Sequence, residues 1–138
     1  MADKVCLQPC LGLRKEAVLS RQAFYVVHED LRTEQTVLGC GPALNANVQE
    51  DLDFIEMYPV MAVEACDLDC ATKLVDKKGR KVARTVRVPE LAEELSIDLD
   101  SLPEGENIES DHPAVQAMAE RIAEMVDELL GAQDQRGS

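Results

Sequence analysis

Short apolar runs alternate with longer stretches of helical periodicity along this chain. Lys4 to Leu7 reads as a short strand closed by Pro9. From about Leu13 to Leu31 the pattern becomes helical, with Leu19, Ala23, Val26 and Val27 spaced to share one buried face. Thr36-Val37-Leu38-Gly39 is a second strand, followed by a Cys40-Gly41-Pro42 loop. Asn47 is placed to cap a helix whose apolar stripe is Val48, Leu52 and Ile55, and Tyr58-Pro59 stops it. Val60 to Val63 is a third strand, apolar on both faces as a strand between helix layers must be.

The second half continues the alternation. Asp67 or Asp69 is suited to cap a helix running to about Lys78, with Gly79 as its stop. Val82 to Val88 alternates, with Val82, Arg84, Val86 and Val88 facing one way, and its basic side chains suit a strand near an edge. Pro89 ends that strand and Leu91 to Leu95 is a short helix. Residues 98–110 read as a loop. Pro113 fits the first turn of a final helix with the stripe Val115, Met118, Ile122, Met125 and Leu129. Gly131 is its expected end, leaving 1–131 as one domain and 132–138 as a disordered tail.

This order implies an α/β fold, a three-layer arrangement with a mostly parallel four-stranded sheet and helices on both faces. Right-handed crossovers restrict the topology, and the order 2-1-3-4 places a switch point between strands one and three, where such folds bind ligands.

Composition narrows the function. The 138 residues suit a single core, and with 46% hydrophobic, 30% charged and only 3% aromatic residues that core must be aliphatic. A net charge of −13 repels nucleic acid and anionic membranes. No apolar run approaches a membrane span, and Met1-Ala2-Asp3-Lys4 does not open a secretory leader. A cytoplasmic protein is therefore expected. Reducing conditions there disfavour disulfides, and the odd count of 5 cysteines disfavours a closed disulfide framework.

The cysteines then point to metal or thiol chemistry. Cys10 follows the first strand, Cys40 the second and Cys66 the third, while Cys70 lies four residues after Cys66 in the first turn of the next helix. Parallel neighbours are about 4.8 Å apart, so loops from adjacent strand ends can bring sulfurs to one ion. Four thiolates suit structural zinc, and also an iron–sulfur cluster or copper(I). Cys6 lies inside the first strand and is expected in the core. Arg21 and Tyr25 share a helical face within reach of the strand-one rim, with packing at the surface as the default expectation. His28 is expected to be a satisfied mid-helix residue, and His112 part of the last helix's cap.

Three segments carry a resemblance. Pro9-Cys10-Leu11-Gly12, Ser20-Arg21-Gln22-Ala23-Phe24-Tyr25 and Glu64-Ala65-Cys66-Asp67-Leu68-Asp69-Cys70-Ala71 occur in this order, and Lys73 and the Val82 to Val88 strand also fit. The chain thus resembles the DGC-domain family, bacterial and archaeal proteins named for an Asp-Gly-Cys motif and inferred from their cysteines to bind zinc. The resemblance implies zinc chelation by Cys10, Cys40, Cys66 and Cys70, and no established reaction. Two departures stand out. Glu64-Ala65 replaces Asp-Gly, so a turn that needs Gly is expected to differ, and Leu11 replaces a Ser at the rim.

The leading expectation is a small cytoplasmic metal-binding protein with zinc as its cofactor. A thiol-redox or sulfur-transfer enzyme using the same cysteines is the alternative, and an interaction module with inert cysteines is the third.

Overall fold

Four short strands pair side by side at the centre of the molecule, the middle two buried along their whole length and the outer two only in part. The computed structural model of the protein describes residues 3–104 and 107–137, with side chains up to residue 132 in the second segment. The strands are β1 (Val5–Gln8), β2 (Thr36–Leu38), β3 (Val60–Glu64) and β4 (Arg84–Arg87). All pairings are parallel, in the order β2-β1-β3-β4, with Val5 opposite Thr36, Cys6 opposite Val60 and Met61 opposite Arg84. Every residue of β1 and β3 is buried, as the two central strands of a covered sheet require.

The period of two in the strands divides the core. Val5, Leu7, Met61 and Val63 pack beneath α1 (Lys15–Val26), α5 (Val88–Glu94) and α6 (Pro113–Gly137). The expected stripes hold: Leu19, Ala23, Val26 and Val27 are buried, and so are Val115, Met118, Ile122, Met125 and Leu129. Cys6 and Val60 face the other way, against Leu44 of α2 (Gly41–Asn45), Ile55 of α3 (Gln49–Met57) and Val75 of α4 (Cys70–Lys77). The three-layer α/β architecture and the strand order are those the pattern predicts.

Local details differ. Gly41 to Asn45 is a turn of helix rather than open loop, because Pro42 lies in its first turn, where a missing N–H is no loss. Asn47 does not cap α3. It takes the left-handed conformation after α2 (φ 63°), with Val48 N donating to Ala43 O and Asn47 N to Leu44 O. Gly79 and Ser96 terminate α4 and α5 in the same hydrogen-bonded way. Val48 precedes α3 and is exposed instead of joining its stripe. The fourth strand is shorter than its alternation suggests: Val82 packs on the α3–α4 side while Val86 and Val88 pack on the other, and Val88 already begins α5.

The chain from Val27 to Leu31 completes the first long helix as a wider, π-type turn. Gly131 does not end α6, which runs to Gly137, because one glycine inside a 25-residue helix costs only about 1 kcal/mol. The side chains of 133–137 and all of Ser138, which make up most of the expected tail, lie outside the described residues. Among the described residues no helix is long and apolar enough to cross a membrane.

Candidate functional site

Because all four strands are parallel, β1, β2 and β3 end on one edge of the sheet, and each is followed there by a cysteine: Cys10, Cys40 and Cys66. Cys70 is the first residue of α4. All are free thiols, with Cys10 buried, Cys66 half-buried, and Cys40 and Cys70 exposed. Their surroundings differ, and those differences govern what the rim can do.

Cys10 sits in a loop that folds back on its own sulfur. Gly12 N donates to Cys10 Sγ at 3.4 Å. The Arg21 guanidinium, reaching up from α1, donates to Cys10 O at 3.0 Å and Gly12 O at 2.7 Å. Arg21 therefore does approach the strand-one rim, as a clamp on backbone carbonyls. Tyr25, one turn further along, is about half exposed and lines a 230 Å³ cavity with Arg21 and Cys40. Cys40 is held from the opposite side, where its N–H donates to the buried Asp51 carboxylate of α3 at 2.8 Å.

Cys66 belongs to the loop between β3 and α4, pinned by an ion pair. Asp69 accepts from Arg87 Nη1 at 2.6 Å and Nη2 at 3.1 Å. That pairing holds the Asp69 carboxyl below the usual carboxylate range, aided by Lys73. The tight backbone position in this loop is Asp69, left-handed at φ 55°, and not Ala65. Alanine is thus tolerated where the family motif has glycine.

Glu64 has the role expected of Asp67 or Asp69. It is 1% exposed, and its two carboxyl oxygens accept from Ala71 N at 3.2 Å and Thr72 N at 2.8 Å. The first turn of α4, which carries Cys70, is capped from beneath by the last residue of β3.

Leu11 is shared by two cavities at the rim. It is 46% exposed, and it walls both the cavity that reaches Cys40 and a second one, of 310 Å³, that reaches Cys70. Its Cδ1 lies 2.6 Å from where a Cβ on Gly41 would stand, so only glycine lets it rest there. Among the described residues, no three His, Cys, Asp or Glu side chains lie together in a way that would hold a metal ion. The donor types suit a soft cation; in their present positions they do not enclose one.

The remaining candidates behave as structural residues. Cys6 is fully buried against α2, α3 and α4, and burial, with a smaller push from Asp51, raises its thiol pKa to about 12. His28 Nδ1 lies 2.9 Å from Thr36 Oγ1, and His112 Nδ1 accepts from Ala114 N at 3.0 Å, in the capping role expected of it. Gln8, Asp51 and Glu64, which shape the rim from below, were not among the expected site residues. The signal was present for Gln8 and Glu64, since each is a polar residue ending an otherwise apolar strand.

The family model of the DGC domain matches residues 6–127, which include every residue of this rim. No curated protein and no solved structure matches the chain.

Proposed function

The chain belongs to the DGC domain family, and from that premise we propose that it is a small cytoplasmic protein that captures a soft metal ion, zinc foremost, through Cys10, Cys40, Cys66 and Cys70. The observation that carries this reading is the placement of the thiols on loops at one sheet edge. These are the ends at which parallel α/β sheets gather their ligands. Zinc, if bound, would be held by the thiolates of these four cysteines and would supply a cross-link between the strand-end loops. Since no three donors stand in ion range now, capture requires the Cys10–Gly12 loop, and Leu11 with it, to move. Exposed Cys40 and Cys70 would meet the ion first, and buried Cys10 would join as that loop shifts.

Metal content measured on protein purified without added metal, then after zinc loading and desalting, tests the reading. About one equivalent per chain is expected, and Cys66→Ser and Cys70→Ser should lose it. Wild-type protein that retains no metal after loading, or variants that retain as much as wild type, would overturn it.

A second reading has its own support. Cys40 and Cys70 are exposed and each borders a small cavity, as thiols acting on a bound molecule would. A thiol-redox or sulfur-transfer role predicts that one of them alkylates well above the rate of a free thiol in metal-free protein at neutral pH. Uniformly slow alkylation would exclude it.

A further inference from the structure

The half-buried arginines Arg32, Arg84, Arg87 and Arg121 each pair with a carboxylate. Arg21 is half-buried as well, yet among the described residues no carboxylate pairs with it. Its Nη1 donates to two backbone carbonyls, Cys10 O and Gly12 O, which uses both hydrogens of that nitrogen. The Nε–Nη2 edge, the fork that matches a carboxylate, has no partner among the described residues. Arg32 shows the same arrangement completed: its Nη1 donates to Leu31 O, while Nε and Nη2 take the two oxygens of Asp127 at 2.8 and 2.7 Å. The open edge of Arg21 is reachable from solvent, since among the described residues the side-chain atoms sealed off without a partner are Gln8 Nε2 and Thr72 Oγ1.

Arg21 lines the 230 Å³ cavity at the rim with Leu11, Phe24, Tyr25, Leu38 and Cys40. The walls are mostly hydrocarbon and the charged group is one guanidinium, which calls for a compact apolar body with a single negative charge. A cation would meet the guanidinium, and a phosphate would press unpaired oxygens against hydrocarbon. The acidic surface of the molecule does not extend into this site. Residues 9–15 include Arg14 and Lys15 and no acidic residue, and Asp51, the carboxylate behind Cys40, is buried and engaged by Cys40 N. The volume lies below that of ordinary small-molecule sites, so the ligand must be small.

We propose that this cavity binds a compact monocarboxylate, with Arg21 Nε and Nη2 donating to its two oxygens and Leu11, Phe24 and Leu38 covering its hydrocarbon. Arg21 then has two tasks. Its Nη1 holds the Cys10–Gly12 loop, and its other edge takes the ligand, as Arg32 divides its donors between Leu31 O and Asp127. The site needs no metal at the thiols, and a ligand held there lies beside Cys40.

The test uses the full ¹⁵N-labelled chain, metal-free and with a chelator present, titrated with benzoate and, separately, with benzamide, which has nearly the same shape and no charge. Benzoate should shift the backbone amides of Leu11, Tyr25 and Cys40 in a saturable way, and benzamide should bind roughly tenfold more weakly. Arg21→Lys keeps the charge and loses the fork, and should weaken benzoate binding roughly tenfold. Leu38→Phe crowds the cavity with Arg21 intact and should weaken it as much. Arg14→Gln removes the same charge from the neighbouring loop, outside the cavity, and should leave binding unchanged. Absence of saturable shifts, shifts centred elsewhere, equal affinity for benzoate and benzamide, or a loss in Arg14→Gln as large as in Arg21→Lys would overturn the proposal. Because the titrations are metal-free, failure here leaves the metal reading standing, and protein that binds benzoate but retains no zinc would overturn that reading alone.

Discussion

The thiols of this protein are chemically one residue type in five different settings, and burial separates them. Cys6 has hydrocarbon from three helices around it and Asp51 behind it, so its thiolate is disfavoured and its pKa rises from 9.0 to about 12. A thiol raised in the folded state keeps its full contribution to stability below the unfolded pKa and loses it as the pH climbs through the folded one. Between pH 9 and 12 the unfolded chain releases this proton and the folded chain does not, so stability should fall by about 1.4 kcal/mol per pH unit from this group alone. Urea unfolding of wild type and Cys6→Ala across that range checks it, and the variant should show a shallower decline. The role of Cys6 was legible in the sequence because it lies inside a strand. The differences among Cys10, Cys40, Cys66 and Cys70 were not, because they arise from Arg21, Asp51, Glu64 and Leu11, which come from other parts of the chain.

At the scale of elements, the rim is built from the way helices begin and end. The helix carrying Cys70 has no N-cap bond from its own N-cap residue, Asp69, whose carboxylate is turned to Arg87. Glu64 supplies the acceptors from the strand below. Glu64→Ala should therefore cost about 2–3 kcal/mol, the value of a cap with charge-assisted bonds, and should loosen Cys70. Chemical denaturation gives the first quantity, and faster hydrogen exchange at Ala71 and Thr72 reports the second. Glu64→Gln, which retains an acceptor, should lose less; equal stability of wild type and Glu64→Ala would refute the capping role. Periodicity located this helix but named the wrong cap, since a capping residue drawn from a neighbouring strand leaves no local spacing to read. The turn of helix at Gly41 to Asn45 escaped for a related reason: Gly-Pro reads as a breaker, although proline is well suited to a first helical turn.

For the whole molecule, charge is the term that no single contact decides. Acidic residues number 27 against 14 basic ones, and the ion pairs Arg32–Asp127, Arg84–Glu128 and Arg121–Glu94 lie on the surface, where each is worth little. Self-repulsion of the acidic surface should then outweigh these pairs, and salt should stabilise the fold. Raising sodium chloride from about 0.01 M to 0.5 M should lift Tm of metal-free protein by about 3 °C, equivalent to ~1 kcal/mol. A fall in Tm would mean that the ion pairs dominate.

The sequence by itself determined the four strands and the main helices, the parallel sheet in the order 2-1-3-4, the family and the placement of four cysteines beyond strand ends or at a helix start, though not the short helical turn at Gly41 to Asn45. These depend on local periodicity, on breakers, and on the handedness of crossovers, all of which are written in neighbouring residues. Tertiary structure alone decided how the thiols are spaced, which carboxylate caps the helix of Cys70, and where a side chain intrudes. Leu11 is one residue from Cys10 in sequence, yet it borders the separate cavities of Cys40 and Cys70. Gln8 is an ordinary strand residue until Gly39 and the two helices above it bury its amide without a partner. Such facts depend on which segments meet in space, and a one-dimensional pattern holds no record of that meeting.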